Sequence, residues 1–66
     1  MVSKFAIYMK ARSGSWMLAG KLESGALAMR AAREMCEQGI VAVAVPYDGC
    51  RPSDTSIEHA YAQFTT

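Results

Sequence analysis

The sequence predicts a small α+β domain of element order ββαβα, with a three-stranded sheet in the order 2-1-3 backed by one main helix and a short C-terminal helix. Three observations carry that expectation. Two segments near the N-terminus alternate apolar and polar residues, one capped segment repeats at helical spacing, and "IVAVAV" is apolar throughout. A chain of 66 residues allows one domain, read here as residues 1–66.

In "KFAIYMKA", Phe5, Ile7, Met9 and Ala11 point one way and Lys4, Ala6, Tyr8 and Lys10 the other. Period two with Phe, Ile and Tyr is the pattern of a half-buried strand. "RSGS" is a short polar connection in which Gly14 is free to take a positive φ. "WMLAGKL" alternates again, and an unbroken strand puts Trp16, Leu18, Gly20 and Leu22 on one face. The two form an antiparallel hairpin.

Ser24 is placed to cap a helix from Gly25 to Gln38, rich in Ala, Leu, Met, Arg and Glu, and Gly39 stands where a left-handed C-terminal residue belongs. Its apolar arc (Leu27, Ala28, Ala31, Ala32, Met35, with Met29 and Cys36 at the margin) is wider than one side of a three-stranded sheet requires. "IVAVAV" then reads as a strand covered on both faces and ending at Pro46. A right-handed crossover makes this third strand parallel to the second, and the hairpin places the first between them. With Phe5, Ile7 and Leu18 toward the helix, or the reverse, the other face carries Tyr8, Met17 and Val41/Val43/Val45. That valine ladder needs a cover, supplied by the tail helix, a second subunit or a partner. After the turn-rich "DGCRPSD", the capping-box pattern Thr55–Glu58 and the stripe Ile57, Tyr61, Phe64 predict a helix from Ser56 to Phe64.

A net charge of +1 gives no bulk attraction to nucleic acid or anionic lipid. Lys4, Lys10 and Arg12 interrupt the N-terminal apolar run, so it does not read as a signal peptide. No stretch is long enough to span a membrane. A cytoplasmic protein with Cys36 and Cys50 as reduced thiols is expected.

The residues able to do chemistry are scattered. His59 lies off the tail helix's apolar stripe, with only Asp54 and Glu58 as local partners, and a general base needs an oriented partner. Cys36 reads as a small buried hydrophobe, and Cys50 has Arg51 beside it, the one group able to lower its pKa. No C-x₂-C or H-x₃-H spacing exists, so neither metal nor cofactor is expected, and the chain reads as no enzyme. Lys10, Arg12 and Lys21, placed near the hairpin tip beside Tyr8 and Trp16, are the one aromatic–basic association. Met29 sits next to the charged arc of the main helix, and methionine is over-used at binding surfaces.

Trp16-Met-Leu-Ala-Gly20, then Ser24, an Ala-rich helix, and Gly39-Ile40 before an apolar strand resemble one half of a SPOR (sporulation-related repeat) domain. SPOR domains carry two such halves, where this chain has one hairpin. The resemblance implies a strand–helix–strand unit and a glycan binder that holds septal peptidoglycan on its sheet surface.

The leading expectation is a small non-enzymatic protein-binding module (an adaptor, regulator or phage-type inhibitor), acting as a homodimer through an apolar surface. Its partner-binding residues are Tyr8, Lys10, Arg12, Trp16 and Met29. Two alternatives stand beside it: a nucleic-acid-binding regulator that uses the basic hairpin, and a SPOR-like glycan binder.

Overall fold

Strand β1 (Lys4–Lys10) is the middle of the sheet, with β2 (Trp16–Leu22) on one side and β3 (Ala42–Tyr47) on the other. The computed structural model describes residues 4–64. Both neighbours pair antiparallel to β1, so β3 runs in the same direction as β2 without touching it. Every adjacent pair in this 2-1-3 sheet is thus antiparallel. Helix α1 (Gly25–Glu37) connects β2 to β3, and α2 (Asp54–Phe64) follows β3.

Local chemistry sets the element ends. The hairpin closes with Ala11 N–H donating to the Ser15 carbonyl (2.8 Å) and Gly14 N–H to the Ala11 carbonyl (2.9 Å), a three-residue loop that needs the φ of +92° at Gly14. Ser24 Oγ accepts from Leu27 N–H at 3.3 Å and caps α1. At the other end Gly39 takes φ +87°, its N–H donates to Cys36, and Ile40 N–H donates to Met35. That pair of bonds is a Schellman ending, and it satisfies carbonyls the last turn leaves open.

Several boundaries differ from expectation, and β3 begins at Ala42 rather than at Ile40. β3 continues through Pro46 to Tyr47, because Pro46 occupies a position whose N–H would point away from β1 and is not needed. α2 begins at Asp54, ahead of Ser56. Ser53 caps it, its hydroxyl accepting from Ser56 N–H (3.2 Å) and its carbonyl from Ile57 N–H (3.0 Å), in place of the Thr55–Glu58 box. α1 ends at Glu37, with Gln38 as its cap.

The largest departure lies inside β2. Tyr8 pairs with Leu18, but Ile7 pairs with Gly20, so Ala19 is an extra residue in β2. This bulge reverses the alternation, because one inserted residue sends the rest of the strand to the opposite face. Trp16 and Leu18 share the face of Tyr8, while Gly20 and Leu22 share the face of Ile7. The expected single-face set Trp16, Leu18, Gly20, Leu22 is therefore split in two.

Each face has its own core. Under α1, Ile7 packs with Ala28 and Ala32, bordered by Phe5, Leu22, Ala31, Met35 and Ala44. Under α2, Ala6, Tyr8, Trp16, Val43, Val45 and Ile57 form the second cluster, bordered by Val41, Tyr47, Ala60 and Tyr61. The valine ladder is thus covered by the tail helix. Phe64, at the end of α2, packs against both clusters and lies beneath the Arg33 guanidinium of α1 at 5.1 Å.

Ile57 is fully buried and anchors α2. Ile57→Ala should lower the unfolding free energy by about 2–5 kcal/mol in a urea titration, the usual cost of emptying an aliphatic core position. An unchanged midpoint would mean that α2 does not pack on the sheet.

Candidate functional site

With both sheet faces covered, the surfaces left for recognition are the two strand edges and the helix flanks. Hydrogen-bond parity fixes which edge groups face outward. Lys10 N–H donates to the Val41 carbonyl at 2.9 Å, so the even-numbered residues of β1 bond β3 and the odd-numbered ones bond β2. On β3 the outward residues are then Ala42, Ala44 and Pro46; on β2 they are Trp16, Leu18 and, past the bulge, Lys21.

The β3 edge is blunted. Cys36 Sγ–H donates to the Ala42 carbonyl at 3.4 Å, and Pro46 offers no donor. The β2 edge is blunted only where it begins. Arg51 Nη2 donates to the Trp16 carbonyl at 2.6 Å and to Asp54 Oδ1 at 2.8 Å, while Nη1 donates to the Pro52 carbonyl at 3.0 Å. The same guanidinium lies 5.6 Å from the centre of the Tyr8 ring. From Leu18 to Lys21 the edge is bare of such a cap among the described residues.

Apolar side chains flank that bare stretch. Met17, Leu18 and Leu27 are 50%, 47% and 56% exposed. Met17 pairs with Met9 on the α1 side, and Leu18 points to the α2 side. Cys36 and Arg33 mark the β3 flank of α1 through Ala42 and Phe64. Leu27 lies nine positions before Cys36; at about 100° per residue it is on the opposite flank, toward β2. Three large apolar side chains therefore surround an edge that still has backbone groups to offer.

The expected partner-binding residues are dispersed. Tyr8 is 1% exposed and Trp16 3%, because the bulge turns Trp16 under α2, where its ring meets Tyr61 at 5.7 Å and 53°. Both are core residues of the folded chain and not the surface anchors expected. Lys10 is paired with Glu58 and lies 5.6 Å from the Trp16 ring centre. Arg12 is exposed at the hairpin tip. Lys21 is not near the tip: it pairs with Ala6 and lies 4.4 Å from the Tyr47 ring. Met29 is half exposed, but seven positions before Cys36 places it on the β3 flank of α1, apart from the others.

The titratable groups hold α2 in place. Asp54 sits below its ordinary carboxyl value, chiefly through the Arg51 hydrogen bond, with the Trp16 backbone N–H acting in the same direction. Glu58 is lowered chiefly by its hydrogen bond from Lys10. The buried Trp16 indole N–H also acts on Glu58, although it has no partner that meets hydrogen-bond geometry. Burial pushes the Tyr8 hydroxyl upward. His59 Nε2 is 3.2 Å from Gln63 Nε2 on the exposed surface of α2. Among the described residues no three of His, Cys, Asp and Glu gather at metal-binding distance, and no helix is long and apolar enough to cross a membrane.

Arg51 is the site residue that sequence reasoning overlooked, having been considered only for its effect on Cys50. Its signal was faint: an arginine before Pro-Ser-Asp at a helix start, with no local cue that it reaches back 35 residues to Trp16.

A carboxylate with a lowered folded-state pKa contributes stability above its unfolded value, and that contribution fades as pH falls through the folded one. Asp54 and Glu58 both belong to this class, with ordinary values of 3.8 and 4.5. The melting temperature should stay level from neutral pH to about 5 and decline below 4.5, with the Asp54→Asn/Glu58→Gln double variant showing a shallower decline. Identical acid profiles for the two proteins would show that these pairs do not hold α2.

No protein-family model, curated protein or solved structure matches the chain, so the resemblance to a SPOR half rests on its residues alone.

Proposed function

We propose that the protein is a non-enzymatic protein-binding module whose working surface is the bare half of the β2 edge, and that a second copy of the chain occupies it in a homodimer. One observation carries the reading: outward backbone groups at Leu18 and Lys21 lie among the exposed Met17, Leu18 and Leu27. Main-chain bonds supply affinity in strand addition, and alternate side chains supply specificity.

The second copy is favoured by self-complementarity. A two-fold antiparallel pairing of β2 with β2 sets the Leu18–Lys21 stretch of one copy against that of the other, with Met17 and Leu18 at both ends of the joint, as an isologous interface requires. It also carries the two Lys21 ammonium groups, the only charges in the strand, to opposite ends of the joint. A domain of this size buries only about 60% of the surface its unfolded chain exposes, so an added interface stabilises it appreciably. The valine ladder no longer argues for a dimer, since α2 covers it.

The nucleic-acid alternative is weaker. It relied on Tyr8 and Trp16 as stacking surfaces and Lys10 as a free cation, yet both rings are buried and Lys10 is paired with Glu58. The glycan alternative relied on an open sheet surface, and α1 and α2 occupy both.

Leu18→Pro tests the proposal through the backbone. Its N–H points away from β1, so proline removes an edge donor without breaking a bond of the hairpin. Wild-type protein should sediment at twice 7.2 kDa at micromolar concentration, and Leu18→Pro at 7.2 kDa with an unchanged circular-dichroism spectrum. His59→Ala and the Cys36→Ser/Cys50→Ser double change should leave the dimer intact, and moderate salt should not dissolve it. A 7.2 kDa species at every wild-type concentration overturns self-pairing.

A further inference from the structure

We propose that the Arg51–Asp54 ion pair is a releasable latch on the β2 edge, occupying the outward carbonyl of Trp16 in place of a partner strand and so fixing where a pairing strand must stop. The inference rests on the reading of β2 as the binding edge and adds its regulation.

The geometry is that of a strand imitated by side chains. A neighbouring strand would donate an N–H to the Trp16 carbonyl and accept the Trp16 N–H. Arg51 Nη2 makes the first contact at 2.6 Å. The Asp54 carboxylate is bound to the same Nη2 at 2.8 Å, which sets a negative charge on the Trp16 side of the guanidinium, and the Trp16 N–H helps to lower its pKa. The pair thus gives the outward Trp16 carbonyl a donor and holds a carboxylate behind that donor. Its span ends there, and among the described residues Leu18 and Lys21 receive nothing equivalent.

The latch is built to yield. Arg51 and Asp54 side chains are each 47% exposed, and water competes with exposed ion pairs. The carrier of Arg51 is the loop between β3 and α2, where Gly49 takes φ +102°. Moving the guanidinium aside gives up the Arg51 bond at the Trp16 carbonyl and frees that residue's outward groups for main-chain bonds from an incoming strand. The Trp16 ring, packed beneath α2 against Tyr61, need not move. Opening the latch lengthens the pairing edge from Leu18–Lys21 to Trp16–Lys21.

The test is a variant cycle read by sedimentation equilibrium and by exchange of the Trp16 amide proton. Arg51→Ala should tighten self-association by about two- to fivefold for each copy, the equilibrium equivalent of one exposed ion pair. Asp54→Asn, which keeps an acceptor but removes the charge, should shift it the same way by less. The Trp16 amide of Arg51→Ala should exchange faster than wild type in dilute monomer and slower in the dimer. Adding Leu18→Pro to Arg51→Ala should abolish the gain, which separates an opened edge from a loosened α2. If Leu18→Pro disrupts the wild-type dimer but Arg51→Ala and Asp54→Asn leave association unchanged or weaker, the latch is refuted and the β2 reading survives. If Leu18→Pro has no effect on wild-type association, the edge reading fails and the latch with it.

Discussion

The seat of Trp16 beneath α2 is the contact on which the rest of the molecule depends. It exists because β2 slips by one residue against β1 at Ala19, sending Trp16 to the face of Tyr8, Val43 and Val45. From that seat the indole meets Tyr61 and lies beneath Lys10, which in turn binds Glu58. The carbonyl of the same residue receives Arg51, which fixes the loop that starts α2. One residue therefore joins β2, the β3–α2 loop and α2 through its ring and its backbone together. Burying an aromatic ring of that size removes a large apolar area from water, and in so small a domain no other single side chain has as much to contribute.

The two cores differ in kind. The α1 side is built from alanines: Ala28 and Ala32 are fully buried, which lets the helix lie close on Ile7. Small contacts allow close approach but bury little area per residue, so this helix keeps Leu27 and Met29 outside on its two flanks. The α2 side is aromatic and branched, and a helix of eleven residues suffices to close it because Ile57, Tyr61 and Phe64 carry the packing. The wide apolar arc of α1 thus reflects narrow buried residues at its centre, with larger ones displaced to the margins.

Periodicity made the five elements and the 2-1-3 order legible, since strands and helices bury residues at different spacings and the caps at Ser24 and Gly39 are local chemistry. The faces of β2 were not legible. Trp16, Leu18, Gly20 and Leu22 alternate as well as any unbroken strand, and the only hint of a slip was a glycine within the strand. The extra residue, Ala19, moved Trp16 from the expected surface into the core. Ser53 competed with Thr55 as the α2 cap within "PSDTS", where three hydroxyl residues lie close enough for either reading. Pro46 looked like the end of β3 because proline removes a donor, but at an outward edge position the donor has no use. The Arg51–Trp16 bond joins residues far apart in sequence, and no local pattern encodes such a reach.

Pro46 has a further consequence if copies of the chain pair as proposed. Sheets with two receptive sides polymerise, each added unit presenting a fresh surface for the next, and this is how edge pairing runs on into fibres. Here one side carries a proline and a carbonyl already engaged by Cys36. The proposed union through β2 would bury the receptive side of both units and leave the blunted side facing out. Under the proposed pairing growth would then end at two, the blunted β3 side limiting further addition.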